Sequence, residues 1–473
     1  MARSTLYKEI ANTISQQISS GILRPGDKLP SLRTISRQFG VSINTAIQAY
    51  HLLESEGCIK ARHKSGYLVN ITPLRLAHQS TTNPSVGKEQ KEERDLIGRV
   101  YYDMDDFSVV KFSLGIPDDK LLPIAKLNKE LIEASRNLPG DGIRYENTQG
   151  NMRLRRNIAR MAYSWHGNLS EDDIVTTLGT TNAVALALSA LTRPGDTIAV
   201  ESPCYFGLLQ FANNRGLRVL ELPTNPRTGV DIQSLKSSLP GIKACILISN
   251  FNNPIGSVMP DVNKKAVVEM LAEHDIPLIE DDIYGDIYFG ESRPIPCKKF
   301  DTAGNVLWCG SVSKTLAPGY RVGWIAPGKY KELILREKYV SQLSVPSVTQ
   351  EAIGRFLEFD RYENHLCKLR DELHANSLRF INAIEDSFPA HTKVECPQGG
   401  FMLWVELDKR IDTAELYDLA MSKGISISPG RMFTLQDQYH NCMRLSYGQL
   451  WNDRIEQSLH TLGVLAKSLA QEE

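Results

Sequence analysis

Apolar residues recur at helical spacing near the start of the chain: Leu6, Ile10, Ile14 and Ile18, with Ala11 beside them. Side chains three and four apart share one helix face, so this run predicts an amphipathic helix. Pro25-Gly26-Asp27 then turns the chain. Ser31 is placed to cap a second helix, Leu32 to Phe39, which Gly40 ends. Ser42 caps a third, with Ala46, Tyr50 and Leu53 inward and Gly57 stopping it. Cys58 to Val69 reads as a β-hairpin with Lys64-Ser65-Gly66 near its tip. Helix, helix–turn–helix and hairpin in that order predict a winged helix over residues 1–73.

Residues 74–110 are polar and charged, and are expected as a linker, helical in part of their second half. Beyond Phe112 the pattern changes. Short apolar runs alternate with helical stretches: Thr197 to Glu201, Arg218 to Leu222, Ala244 to Ser249, Pro277 to Asp281 and Val306 to Cys309. Strands with no polar face are buried on both sides, which predicts an open α/β, mainly parallel sheet in a large domain over about 130–355. A smaller α+β domain is expected over about 356–473. Ligands of such sheets bind at the carboxyl ends of the strands.

A length of 473 residues suits two or three domains, and the core can be large. The net charge of −1 conceals an asymmetry. Residues 1–75 carry ten Lys and Arg against four Asp and Glu, a net of +6, leaving −7 for the rest. A basic module on an acidic body points to DNA. The third helix would enter the major groove with Ser42, Asn44, Thr45 and Gln48 outward, while Arg33, Arg62, His63 and Lys64 would meet phosphates or groove edges. The plainer alternative is a small packing module with a solvated basic face. The eight cysteines form no CxxC or zinc-type cluster, so no metal is expected and the thiols read as reduced. No signal-peptide or membrane-span pattern is present, so the cytoplasm is the expected compartment.

The first segment resembles the GntR family of bacterial repressors. The resemblance rests on Leu29-Pro30-Ser31-Leu32-Arg33, Phe39-Gly40-Val41-Ser42, Ala49-Tyr50, Leu53-Glu54-Ser55-Glu56-Gly57 and Ser65-Gly66-Tyr67-Leu68-Val69. Two positions depart from it: Ile43 stands where Arg is frequent, and Lys64 replaces the first glycine of the wing tip.

The larger segment holds the parts that pyridoxal 5′-phosphate chemistry needs. Lys314, in Ser311-Val-Ser-Lys, can form the Schiff base, and Asp281 at a strand end can pair with the pyridine nitrogen. Asn253 and Tyr284 can reach the phenolic oxygen, and Tyr205 can stack on the ring. Gly179, Thr180 and Thr181 open a helix whose free N–H groups suit a phosphate, with Ser311 and Arg321 beside it. Any one of these alone is ordinary; a lone lysine is usually solvated. Their order, each just past a β-like run, is what points to a site.

The set resembles fold-type-I, class I aminotransferases over about 112–465. That resemblance implies two more roles. Tyr145 would reach the partner subunit's phosphate, and Arg444, in Met443-Arg-Leu-Ser-Tyr447, would clamp a substrate carboxylate. Joined to a GntR-type winged helix, the domain resembles MocR-type regulators, which are head-to-tail homodimers with each winged helix over the other subunit. The expectation is a transcriptional regulator that binds double-stranded operator DNA and senses pyridoxal phosphate or its amino-acid adduct. The alternative is a working aminotransferase with an accessory DNA module.

Overall fold

The computed structural model describes residues 3–19, 22–23, 26–55, 58–62, 66–69, 93–102, 106, 108–358 and 361–471. The chain divides into two units, Met1–Arg75 and Leu76–Glu473.

In the first unit, helices Arg3–Ser19, Leu32–Gln38 and Ile43–Ser55 precede an antiparallel pair, Ile59–Arg62 with Gly66–Val69. Ile10, Ile14, Ile35, Ala46, Tyr50 and Leu53 form the core, while Leu6 is 40% exposed. Ser31 Oγ accepts from Thr34 N, and Ser42 Oγ from Thr45 N, each at 3.2 Å. These side chains satisfy donors that a helix start leaves without partners. Tyr50 donates its buried hydroxyl to Pro30 O at 2.7 Å and packs edge-on against Tyr67 in the second strand. The tyrosine thus ties the third helix both to the turn before the second and to the hairpin.

The second unit is built on an eight-stranded sheet. Its order is Val175–Thr177, Gly323–Ala326, Val306–Ser311, Leu278–Asp281, Ala244–Leu247, Thr197–Ser202, Arg218–Asn225, Gly229–Val230. The five strands from Val306–Ser311 to Arg218–Asn225 run parallel, and the flanking ones pair antiparallel. Alternate residues serve separate cores. Ile198, Val200 and Ile246 face one layer, and Ala199, Cys245 and Leu247 the other. Both faces are covered, which is why these strands read as unbroken apolar runs.

The smaller sheet has the order Lys393–Val394, Met402–Glu406, Cys442–Ser446, Ser428–Pro429, with helices Arg361–Ser387, Thr413–Met421 and Asp453–Gln471. The expected linker over 74–110 needs correction at its end. Residues 93–102 form a helix, Glu93–Tyr102, whose Leu96 and Val100 are buried in the core of this unit. Val110–Lys111 then pairs parallel with Ile425–Ser426. Leu96 and Val100, four apart, give the helix a face to bury, and the charged run before it masks that signal. The chain therefore enters the smaller subdomain before it builds the large sheet. No helix among the described residues is long and apolar enough to cross a membrane.

Candidate functional site

A cavity of about 280 Å³ opens where the large-sheet strands end. Asp281 closes its strand, and Lys314 ends the single helical turn after Val306–Ser311. Thr180 and Thr181 begin helix Thr180–Leu191 after Val175–Thr177, and Tyr205 follows Thr197–Ser202. Asn253, Tyr284, Arg321 and Arg444 complete the part of the wall that the sequence anticipates.

Burial governs the charges here. Asp281 is pushed up to about 7 by removal from water, although its Oδ1 accepts from Ile283 N at 3.1 Å and Lys314 lies near. Lys314 is pulled down to about 8, first by burial and then by the Arg444 guanidinium. At neutral pH such an amine is still mostly protonated, but its neutral fraction is far larger than that of an ordinary lysine, which suits it to attack an aldehyde. Lys314 Nζ donates to Gly115 O. Tyr284 is held well above its ordinary value by burial and the Asp281 charge, against Arg444 and a hydrogen bond with Asn253.

Arg444 lies on strand Cys442–Ser446 and is 2% exposed. Its Nη1 donates to Asn253 Oδ1 at 3.0 Å; its Nη2 donates to Ser428 Oγ at 3.2 Å and to Ser113 O. The ring of Phe433 lies 5.0 Å from the guanidinium and that of Phe206 5.9 Å. Deeper carboxylates brace the loops. Glu201 accepts from Ile248 N at 2.7 Å and Asn252 Nδ2 at 2.9 Å, beside Asn253. Asp282 accepts from Trp308 Nε1, Asn250 Nδ2 and Arg293, next to Asp281. Side chains held this way lose little freedom on binding a ligand.

At the other end of the cavity, Gly179 has φ +85°, and a Cβ there would lie 2.7 Å from Arg321 Nη2. Arg321 Nη2 donates to Leu178 O at 2.9 Å. The Thr180 hydroxyl is buried without a hydrogen-bond partner. A buried orphan hydroxyl, the start of a helix and a guanidinium together form an anion cradle. The acid at Asp281 likewise sits where a cationic ring nitrogen would offset its burial. The residues present therefore fit pyridoxal phosphate, which when bound supplies an aldehyde for the lysine and a ring that draws off electron density.

Three expected residues do not line this cavity. Ser311 does not line the cavity; it caps the turn of Lys314, accepting from Ser313 N at 3.0 Å and donating to Val322 O at 2.8 Å. Ser313 lines the cavity instead. Gly179 contributes through its backbone shape rather than its surface. Tyr145 is 84% exposed, away from this cavity. The sequence reading missed Ser113, Gly115, Val100 and Phe206. Ser113 and Gly115 act through carbonyls, which leave no residue-type signal, and the apolar pair looks like ordinary core.

In the first unit Arg33, Ser42, Asn44 and Gln48 are exposed and Thr45 is half-buried. Arg62 ends the first hairpin strand. His63 and Lys64 lie outside the described residues.

Comparison with known proteins agrees with both halves. The pattern of the aminotransferase class I and II family matches residues 108–462, and that of the gntR family of bacterial regulatory proteins matches 6–69. An uncharacterized HTH-type transcriptional regulator of Escherichia coli K12, YdcR, is 37% identical over 97% of this chain and 98% of its own length. A second from the same strain, YjiR, is 34% identical over the same shares. Among solved structures, the multiple substrate aminotransferase of Thermococcus profundus superposes with a TM-score of 0.74 at 25% identity, covering 82% of this chain and 97% of that one. A Pyrococcus horikoshii kynurenine aminotransferase gives 0.73 at 26% identity, covering 81% and 96%. The first unit is a DNA-binding domain, and the cofactor of the second is pyridoxal phosphate. The chain belongs to the MocR-type HTH transcriptional regulators, which join a GntR-type winged helix to a class I and II aminotransferase domain.

Proposed function

We propose that this regulator's affinity for operator DNA is set by pyridoxal phosphate, or by its adduct with an amino acid, held at Lys314. The observation that carries the reading is one cavity containing Lys314, Asp281, Asn253 and Arg444, in a chain that begins with a DNA-binding domain. Lys314 holds the aldehyde and Asp281 the ring nitrogen. Asn253 and Tyr284 hold the phenolic oxygen, and Tyr205 stacks on the ring. Gly179, Thr180, Thr181 and Arg321 cradle the phosphate, with the buried Ser313 lining the cavity beside them and Ser311 fixing the lysine's turn. Arg444 takes the carboxylate of the amino acid.

The exposed Tyr145 suits a role in a second copy's site, and so supports a head-to-tail homodimer. On DNA, Asn44, Thr45 and Gln48 read base edges, Ser42 caps the reading helix, and Arg33, Arg62, His63 and Lys64 meet the backbone or groove. Such a protein works in the cytoplasm, where the DNA is. A ligand shifts DNA affinity only by binding the DNA-competent and DNA-incompetent states differently.

A catalytic second reading has its own support. Lys314, Asp281, Asn253, Tyr284 and Arg444, the set that half-transamination of an amino acid needs, all line one cavity. One experiment separates the two: footprinting on the gene's own upstream region with and without cofactor and amino acids, alongside steady-state transamination. Regulation requires ligand-dependent protection with weak or absent turnover. Turnover in the ordinary range of about 1–10³ s⁻¹ without salt-sensitive DNA binding would favour the enzyme.

A further inference from the structure

We infer that the effector is an α-amino acid with a neutral, apolar side chain, and that Val100 helps to select it. The inference rests on the reading above, that Lys314 holds the cofactor and Arg444 a carboxylate.

The charges lining the cavity are few. Among the described residues there are three cations, Lys314, Arg321 and Arg444, and a single acid, Asp281. Each has a place. Lys314 is the amine that meets the aldehyde. Arg321 stands beside Gly179 at the phosphate end, bonded to Leu178 O. Arg444 takes the α-carboxylate, and Asp281 the ring nitrogen. Among the described residues of this chain no lining cation remains for a second carboxylate, and no lining acid for a side-chain amine. A charge buried without a partner is strongly disfavoured, so this wall rejects dicarboxylic and basic amino acids.

Apolar side chains also line the cavity that holds Arg444. Phe206, 5.9 Å from the guanidinium, lines the cavity, as do Leu114 and Ile116. Val100 joins them from helix Glu93–Tyr102. That helix packs on the turn Gly430–Phe433, and Phe433 lies 5.0 Å from the same guanidinium. Val100 therefore stands on the carboxylate side of the cavity, not the phosphate side. Its helix is also the first described element of the second unit.

The test is titration of the cofactor-loaded protein with leucine, phenylalanine, alanine, aspartate, lysine and 4-aminobutyrate, following the visible absorbance of lysine-bound pyridoxal phosphate. Leucine or phenylalanine should bind about 10–100-fold more tightly than alanine or aspartate. Val100→Ala should weaken leucine binding about ten-fold while changing alanine little. Val100→Lys, in protein that still shows the cofactor absorbance, should raise aspartate binding relative to leucine. Tighter binding of aspartate, lysine or 4-aminobutyrate by the unaltered protein would overturn the inference, as would an unchanged leucine-to-alanine ratio in Val100→Ala. Absence of the cofactor absorbance in the unaltered protein would instead overturn the reading on which the inference rests.

Discussion

Arg444 Nη1 and Asn253 Oδ1 lie 3.0 Å apart, joining a strand of the smaller subdomain to the loop after a strand of the large sheet. Asn253 is also hydrogen-bonded with Tyr284. One amide therefore orients both the arginine proposed for the carboxylate and the phenol proposed for the cofactor's oxygen. Asn253→Ala should weaken cofactor and amino acid together, each by roughly 1.5–3 kcal/mol, the range for hydrogen bonds to charged groups. Titration of the apo and loaded protein checks this; loss of only one affinity would show that the amide serves a single ligand.

The phosphate cradle makes a sharper expectation. Gly179 needs φ +85°, and a Cβ there would press on the Arg321 guanidinium at 2.7 Å. Gly179→Ala should lower cofactor affinity about 10–100-fold by displacing that arginine, consistent with a charge-assisted contact of roughly 1.5–3 kcal/mol. Equilibrium dialysis measures it. The same variant should still bind DNA, since the change lies outside Met1–Arg75.

Asp281 gives a pH dependence. Its folded value of about 7 lies above the ordinary 3.8, because burial disfavours its charge. The cost is absent below pH 4 and complete above pH 7, so this group makes the cofactor-free protein lose stability as pH rises through that window. The size is on the order of 2–4 kcal/mol. Denaturant unfolding of apo protein at pH 4.5 and 7.5 should show the loss, and Asp281→Asn should remove its share. Lys314 behaves oppositely. Its value of about 8 lies below 10.5, so its cost is complete below pH 8 and is relieved as pH rises toward 10.5.

Much of this was legible because the chemistry sits at strand ends. Lys314, Asp281 and Asn253 follow apolar runs that could hardly be anything but buried strands, and each carries a residue type the cofactor needs. The helix Glu93–Tyr102 was not legible as part of the folded body, because two apolar residues in a charged run make a weak pattern. The parts played by the two serines before Lys314 depend on geometry that the sequence does not carry. In Ser311-Val-Ser-Lys314 either hydroxyl could face the ligand, and only the tight turn after the strand shows that Ser311 bonds inward while Ser313 reaches the cavity. The wall around Val100 and Phe206 carries no motif at all; its meaning comes from proximity to Arg444.

For the DNA-binding unit, exposed Arg33 on the second helix should contact a phosphate. Arg33→Ala should weaken binding to all sequences and reduce the salt slope by about one. Gln48→Ala should instead cost about 1–3 kcal/mol at one base position and leave the slope unchanged. Fluorescence anisotropy over a salt series distinguishes the two effects.

The central claim is that a ligand held at Lys314 governs DNA affinity. Its most direct test is the dissociation constant for the upstream DNA, measured for the unaltered protein and for Lys314→Ala, each with and without pyridoxal phosphate plus leucine. The account requires at least about a five-fold ligand effect, the low end of coupling between sites, in the unaltered protein and none in Lys314→Ala. Equal affinity in all four measurements, or an undiminished ligand effect in Lys314→Ala, would contradict it.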